Sequence, residues 1–552
     1  MSIFHSLFKL DHLSGFVAFA IVLFFVLTLV YSSQFMKKKQ RRGQYYTCII
    51  LTAIASIGTV LSNHLILLLM FWGFLGLALY LLVNMGEAGA DTVAKKTLII
   101  VGGSDALMLL GIAIIYYLTG SLQMDNIRLA FDNKLSVLAY LCVAVACFAK
   151  AGAMPFHSWI PDCAKTAPVP VAAYLPASLD KLLGIYLLTR ISLNLFMMNK
   201  AMNMLLMLVG AATIIAAVMM ALVQHNLKKL LGYHAVSQVG YMVLGIGTGI
   251  PIGIAGGIFH MLNNAIYKSC LFFTAGNVEY RTGTSELDEL GGLGKLMPLT
   301  YISCLIASLS ICGVPPFNGF VSKWMVYQGI VAQLTANTVT AERFITVLCL
   351  IAAMFGSGLT LASFMKLLHA VFLGQSSSKQ SNKSIKEVSW QMWLPCIALA
   401  GICVLFGVFA REIPLRYFIL PSVGQVTFSG VWHAGLATSL IISSLCLGAL
   451  IFKLKSLKPA IRQDATFIGG EPLDLKENRV TGTDFYNTVK NFGILKKIYQ
   501  KAEAGYFDLY EQAKHLVFGL GRFFQYLHNG VLPTYLVWTL LGMVALFFTL
   551  IR

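Results

Sequence analysis

Fourteen apolar blocks of about 20 residues recur along this chain, and that recurrence constrains its fold more than any other feature. About 20 apolar residues are what an α-helix needs to cross a bilayer core. Helices and closed barrels are the structures that can satisfy every backbone polar group there. The blocks run at about 14–32, 45–62, 64–84, 97–118, 135–159, 168–192, 202–224, 230–250, 252–276, 297–328, 345–371, 390–410, 430–452 and 531–551. The expected fold is an all-α polytopic membrane protein with about 14 transmembrane helices. Composition agrees, since 57% of the 552 residues are apolar and 12% are charged. A soluble chain carries roughly twice that share of charge.

The net charge of +18 comes largely from short basic loops. They are Lys37-Lys38-Lys39-Gln40-Arg41-Arg42, Lys228-Lys229, Lys379 to Lys386 and Lys453 to Arg462. Clustering of this kind follows the positive-inside rule and argues against a nucleic-acid partner. With the first basic loop in the cytoplasm, alternation puts the loops at 225–229, 277–296, 373–389 and 453–530 on that same side. The loops at 119–134, 329–344 and 411–429 fall opposite, and the N-terminus lies outside. The implied location is the inner (cytoplasmic) membrane of a prokaryote. The 11 cysteines are scattered with no CxxC pair, so neither a metal cluster nor a disulfide framework is expected. The first block has no small-residue cleavage site and reads as a retained helix rather than a signal peptide.

The chain divides into an N-terminal helix and basic loop (1–44), a core (45–371) and additional helices (372–452). A polar and amphipathic segment (453–530) and a last spanning helix (531–552) follow. Segment 453–530 opens with Gly469-Gly470-Glu471-Pro472, Arg479 and Thr481-Gly482-Thr483-Asp484. From Phe485 its apolar residues recur at three- and four-residue steps through Val489, Phe492, Leu495 and Tyr499 to Ala513. That is the pattern of an amphipathic lateral helix on a membrane surface or a neighbouring helix. A soluble receptor module is the alternative reading of this segment.

An internal repeat divides the core at about 45–192 and 202–371. Gly152-Ala-Met-Pro155-Phe156 in the fifth block and Gly313-Val-Pro-Pro316-Phe317 in the tenth share Gly-x-x-Pro-Phe in mid-membrane. Proline there removes a backbone donor and interrupts the helix. The two blocks are five crossings apart and so run in opposite directions. A pair of broken helices in corresponding, inverted positions is the sequence signature of a transporter built from inverted repeats.

Ionisable side chains at bilayer depth cost about 2.5–3.5 kcal/mol each, so each needs a reason. Here they are Asp105, Lys150, Asp180, Lys181, His260, Lys268, Lys323, Lys366 and His369, with His157 inside the first break. Burial disfavours a charged lysine and a nearby carboxylate favours it, so a lysine between the two can gain and lose a proton. His260, Asn264 and Lys268 share one helix face at i, i+4, i+8. The candidate relay residues are Lys150, Lys268, Lys323, His260, Asp105, Asp180, Lys181 and His157. For each lysine the plainer reading is a structural ion pair or a side chain snorkelling to the interface, and snorkelling is the expectation for Lys366. His64 and His234 fall near block ends and read as interfacial. Gly102-Gly103-Ser104 reads as a close helix-packing contact rather than a phosphate loop.

These residues resemble one family: the antiporter-like subunits shared by respiratory complex I, membrane-bound energy-converting hydrogenases and multisubunit cation/proton antiporters. The resemblance covers roughly 45–375. It rests on Ser62-Asn63-His64 through Trp72, Lys150-Ala-Gly-Ala-Met-Pro-Phe-His-Ser-Trp-Ile-Pro-Asp162, Ala167-Pro-Val-Pro-Val171 and Leu231-Gly-Tyr-His-Ala-Val-Ser-Gln-Val-Gly-Tyr241. Ile258-Phe-His-Met-Leu-Asn-Asn-Ala-Ile-Tyr-Lys268 and Gly319-Phe-Val-Ser-Lys323 complete it.

The resemblance implies two inverted five-helix repeats, each with one broken helix. It also implies that Lys150 is the central lysine of a first half-channel and Lys268 the connecting lysine of a second. Lys323 would lead to the exit side, His260 would relay, and Asp105 would be the acid near the first lysine. It implies a proton- or sodium-translocating subunit of a complex-I-like oxidoreductase. Its partners would be other membrane subunits, antiporter-like and quinone- or hydrogenase-module. No cofactor is expected in this chain, with iron–sulfur clusters, nickel–iron or flavin only on partners. The alternatives are a subunit of a multisubunit sodium/proton antiporter and a degenerate scaffold. The C-terminal part looks like the hydrogenase-related branch. The chain departs from the family pattern at Gly73, where pumping members carry a glutamate after the tryptophan, and at Asn264, where a second histidine is usual. Pro176 occupies a position expected to carry histidine or lysine, with Asp180-Lys181 one turn on. The N-terminus is shorter than usual by about two helices.

Overall fold

The structure is a computed structural model that describes residues 7–336, 339–375, 385–428, 434–455, 482–483 and 486–551. The basic residues at 379–384 and 456–462 lie outside the described residues. So do Gly469-Gly470-Glu471-Pro472, Arg479, Thr481, Asp484 and Phe485. Two compact units are present, one ending at Asn491 and the other beginning at Phe492.

The first unit is built of helices: α1 His12–Phe35, α2 Arg42–Leu61, α3 Leu65–Val83, α4 Ala90–Thr119, α5 Lys134–Ala151 and α6 Trp159–Thr166. Then come α7 Val169–Leu195, α8 Lys200–Leu222, α9 Leu227–Gly247 and α10 Pro251–Thr282. They are followed by α11 Pro298–Cys312, α12 Asn318–Ala336, α13 Thr340–Leu373, α14 Trp390–Val408 and α15 Ala434–Lys455. Polar caps set many of the starts. Asp11 and Ser14 form a reciprocal capping box at α1. Asn133, Asn199 and Asn226 each accept a backbone N–H at the start of α5, α8 and α9.

Over the described residues each of the fourteen predicted blocks falls on helix, the fifth and tenth each with a break inside. Ten helices among the described residues are long and apolar enough to cross a membrane. α9 and α10 are too polar to be counted by composition, although nearly every residue of both is buried. With α7 they form the centre of the unit, where polar side chains are shielded from lipid. Outer helices show apolar side chains to their surroundings, such as Met70 on α3 and Ile351 on α13.

Both predicted breaks are present, and they match in detail. α5 ends on Gly152 at φ 84°, ψ 39°, and α11 ends on Gly313 at φ 80°, ψ 39°. Both are left-handed conformations that glycine adopts without strain. Ala153 N–H donates to Phe148 O and Phe156 N–H to Ala153 O. In the second break Val314 N–H donates to Leu309 O and Phe317 N–H to Val314 O. Met154–Pro155 and Pro315–Pro316 are both cis. A short motif has thus produced the same backbone path twice.

Two local expectations are corrected. Gly102 and Gly103 do not form a close packing contact, because a Cβ added at Gly103 would meet nothing within 4 Å. The close approach is at Gly210 and Gly240, where α8 and α9 meet backbone to backbone and either Cβ would collide. The second unit is not one continuous amphipathic helix either. It comprises α16 Gly493–Glu503, α17 Leu509–Leu527 and the apolar α18 Leu532–Leu550. Asp508 caps α17 by accepting Tyr510 N–H at 3.0 Å.

Candidate functional site

The lysines meet inside the first unit because each sits beside a helix irregularity. Lys150 is on the last turn of α5, 1% exposed. Its ammonium lies 4.9 Å from the Trp72 ring centroid and 3.5 Å from Trp72 O. Trp72 Nε1 donates to Asp105 Oδ1 at 2.9 Å, so one indole joins lysine and carboxylate. Asp105 and Asp180 are the two carboxylates acting on the Lys150 amine.

Asp180 and Lys181 owe their place to a wide five-residue turn, Leu175–Leu179, inside α7. The turn contains Pro176 and rotates the facing of the residues after it, Asp180 and Lys181, relative to those before it. Wide turns of this kind collect at functional sites. Lys181 is fully buried, and its Nζ has no hydrogen-bond partner among the described residues. It faces the Trp159 ring at 5.9 Å, and Gly152 in the first break lies close by. Asp180 is 2% exposed and acts on both Lys150 and Lys181.

Lys181 also acts on Lys268, across the boundary between the two halves. Lys268 is fully buried on α10 and donates to Leu231 O at 3.0 Å. Asn264, one turn earlier, donates to Ala177 O in the wide turn of α7 at 3.2 Å. The asparagine standing where the family has a histidine therefore binds the two halves together. Lys323 is 2% exposed and donates to Ile311 O, on the last turn before the second break, at 2.8 Å. Its ammonium sits 4.7 Å from the Tyr241 ring centroid. His260 bonds to Ser322 at 2.9 Å through Nδ1 and to Gln238 Oε1 at 3.1 Å through Nε2. His157 is buried in the first break.

Two residues are placed differently from expectation. His234 is not interfacial: it is fully buried, bonds to Ser363 at 2.7 Å, and lies among Lys268, Lys323 and Lys366. The clue was its spacing with Gln238 and Tyr241 on one face of α9. Lys366 does not snorkel. It is 5% exposed and donates to Leu222 O at 2.6 Å and Gln224 O at 2.9 Å, closing the C-terminal end of α8.

Lys150, Asp180, Lys181, Lys268, His234, Lys323 and His260 thus form one buried line, and half-buried Asp105 joins it through Trp72. Beyond Tyr241 the second half is closed by an apolar cluster that includes Met207, Ile214, Leu244, Val326, Ile330 and Cys349. Among the described residues no group of three or more His, Cys, Asp or Glu side chains is placed to hold a metal ion.

The chain is similar to proteins that share this architecture. It is 29% identical over 527 residues to the A-type subunit of the Na(+)/H(+) antiporter of Alkalihalophilus pseudofirmus, covering 88% of this chain and 64% of that one. It is 32% identical over 405 residues to the A1-type subunit of the Na(+)/H(+) antiporter of Staphylococcus haemolyticus, covering 69% and 50%. The chain therefore spans less than two thirds of the length of these relatives. In fold it resembles a chain of the archaeal membrane-bound sulfane sulfur reductase, with TM-score 0.79, 22% identity and coverage of 98% and 89%. A chain of the Mrp complex from Dietzia gives TM-score 0.74, 23% identity and coverage of 98% and 55%. Residues 62–349, more than half of the sequence, match the profile described as NADH:quinone oxidoreductase/Mrp antiporter, TM. This multi-pass membrane chain belongs to that family.

Proposed function

We propose that the chain is a proton- or sodium-translocating subunit of a multisubunit oxidoreductase in a bacterial cytoplasmic membrane, with the lysine line as its path. The observation that carries this reading is Lys181, buried, without a hydrogen-bond partner among the described residues, and set between Asp180 in one half and Lys268 in the other. Lys150 and Lys181 share Asp180, Lys181 acts on Lys268, and Lys268 and Lys323 both act on His234, so a change of charge at one group alters proton affinity at the next. Asp105 and Asp180 supply the counter-charge that the missing glutamate at Gly73 would have given. His260, with hydrogen-bond partners on both ring nitrogens, passes a proton by exchanging tautomers. The redox groups sit on partner subunits, and charge displaced there drives the line.

A second reading, a subunit of a gradient-driven sodium/proton antiporter, is favoured by the antiporter relatives at 29–32% identity. Inverted membrane vesicles with a pH-sensitive dye separate the two. Acidification on adding electron donor supports the first, and a pH change on adding Na+ alone supports the second. Lys323→Ala is expected to remove the response in either case. A full response from Lys323→Ala would leave the chain a scaffold.

A further inference from the structure

A cavity of about 440 Å³ opens at the end of the first unit that carries the α1–α2 basic loop. Its walls come from that loop, the α3–α4 turn, the Ala167-Pro168-Val169 approach to α7 and the last turns of α10. Lys39 and Arg41 line it together with Glu87 and Glu279, and Phe35, Met36 and Met85 supply apolar surface. The cavity lies apart from the lysine line. We propose that it binds the headgroup of an amine-bearing phospholipid, with the phosphate on Lys39 and Arg41 and the ammonium on Glu87 and Glu279.

Three features point to a built site. Arg41 has φ 61°, and it is the only non-glycine residue in the left-handed region among the described residues. A bulky side chain pays for that conformation, and such strain gathers where a ligand is held. Its side chain does not cap α2, so helix capping does not explain it. The acidic wall is fixed as well. Gly86 lies against the Thr166 carbonyl so closely that a Cβ would collide, and Glu87 N–H donates to that carbonyl at 3.0 Å. Glu279 is held by Lys228 at 2.9 Å.

The third feature is depth. Tyr280 follows Glu279, is 39% exposed, and sits 6.2 Å from Phe35, centroid to centroid. Tyrosines with an apolar ring and a wet hydroxyl mark the headgroup level of a membrane. A purely anionic headgroup would meet two carboxylates, and a soluble anion would gain nothing from the apolar wall. A zwitterion with an acyl chain satisfies all three surfaces.

The test uses the purified, delipidated full chain in detergent, titrated with short-chain phosphatidylethanolamine, short-chain phosphatidylglycerol and inorganic phosphate. Phosphatidylethanolamine should bind about fivefold tighter than phosphatidylglycerol, and Glu87→Gln should reduce that ratio to about one. Arg41→Gly suits the left-handed backbone, and it should weaken both lipids about fivefold without lowering the melting temperature. Lys39→Gln is a second variant with the same expected loss. Equal binding of the two lipids by the unaltered chain would overturn the proposal, as would unchanged binding by both Arg41→Gly and Lys39→Gln. Inorganic phosphate binding as tightly as the lipid would reassign the cavity to a soluble anion and overturn it too.

Discussion

The two halves of the core break their fourth helix along the same backbone path, yet they handle buried charge in opposite ways. In the first half Lys150 and Lys181 share the interior with Asp105 and Asp180, two amines for two carboxylates. In the second half Lys268 and Lys323 have backbone carbonyls, aromatic faces, histidines and a thiol for company, and of the three lysines Lys366 alone has a carboxylate, Asp288, acting on it among the described residues. The acidic residues between 202 and 371 lie in the last turns of α10, in the loop after it or in the first turn of α13. Repetition of the motif fixed the backbone, while the electrostatics diverged around it. The first half can hold charge at rest. The second half holds its lysines with neutral groups for the most part, so the two halves differ in charge balance rather than in backbone.

The largest effect should come where the halves meet. Lys181→Ala removes an amine that acts on Asp180 in one half and Lys268 in the other. A positioned proton-transfer group typically contributes 10²–10⁴ in rate. Transport measured by dye quenching should therefore fall about a hundredfold, while Lys181→Arg retains part of it. If Lys181→Ala still transports at half the original rate, the two halves do not work in series.

The next test contrasts stability instead of rate. Lys150→Met strands Asp105 and leaves Asp180 with Lys181 alone, and breaking a buried pair costs about 3–5 kcal/mol. Lys323→Met removes an ammonium that has no carboxylate beside it among the described residues, so stability should change by less than about 1 kcal/mol, or rise. Thermal unfolding of the two variants in the same detergent measures the difference. Equal destabilisation would mean that the second half holds a counter-charge after all.

How far this contrast could be read beforehand depends on what kind of signal carries it. The breaks were legible because glycine and proline act on the backbone locally, at Gly152–Pro155 and Gly313–Pro316. The buried lysines were legible because charge inside an apolar block is costly. His234 was misplaced because its block end looked interfacial in one dimension, whereas α9 lies in the centre of the bundle with even its first turn packed. Lys366 was misread for a related reason: the carbonyls it satisfies are at the end of α8 and just after it, about 140 residues earlier. The wide turn after Tyr174, which sets the facing of Asp180 and Lys181, leaves no mark in hydrophobic periodicity. Long-range pairing and register are tertiary, and a single sequence does not display them.

A double-mutant cycle narrows the contrast further. Asp180→Asn alone should slow transport about tenfold and destabilise the chain, because two amines lose a counter-charge. Asp180→Asn combined with Lys181→Met restores neutrality and should recover most of the stability but none of the transport. Neighbouring charges in one network couple by about 0.5–3 kcal/mol. Strict additivity in the melting data would show that Asp180 and Lys181 do not act on each other.

The smallest effect should come from Gly73→Glu. Pumping members of the family carry a glutamate at this place, and a Cβ here meets nothing within 4 Å, so the side chain enters without collision. Trp72, the preceding residue, already presents its ring to Lys150 and its indole N–H to Asp105. A third carboxylate beside one amine adds counter-charge to a half that is already balanced, so transport should change only about two- to threefold. In an Asp105→Asn background the same glutamate replaces what was removed, and transport should return towards the original rate. If Gly73→Glu rescues nothing in that background, Asp105 is not the stand-in for the missing glutamate, and the charge balance of the first half rests on Asp180 alone.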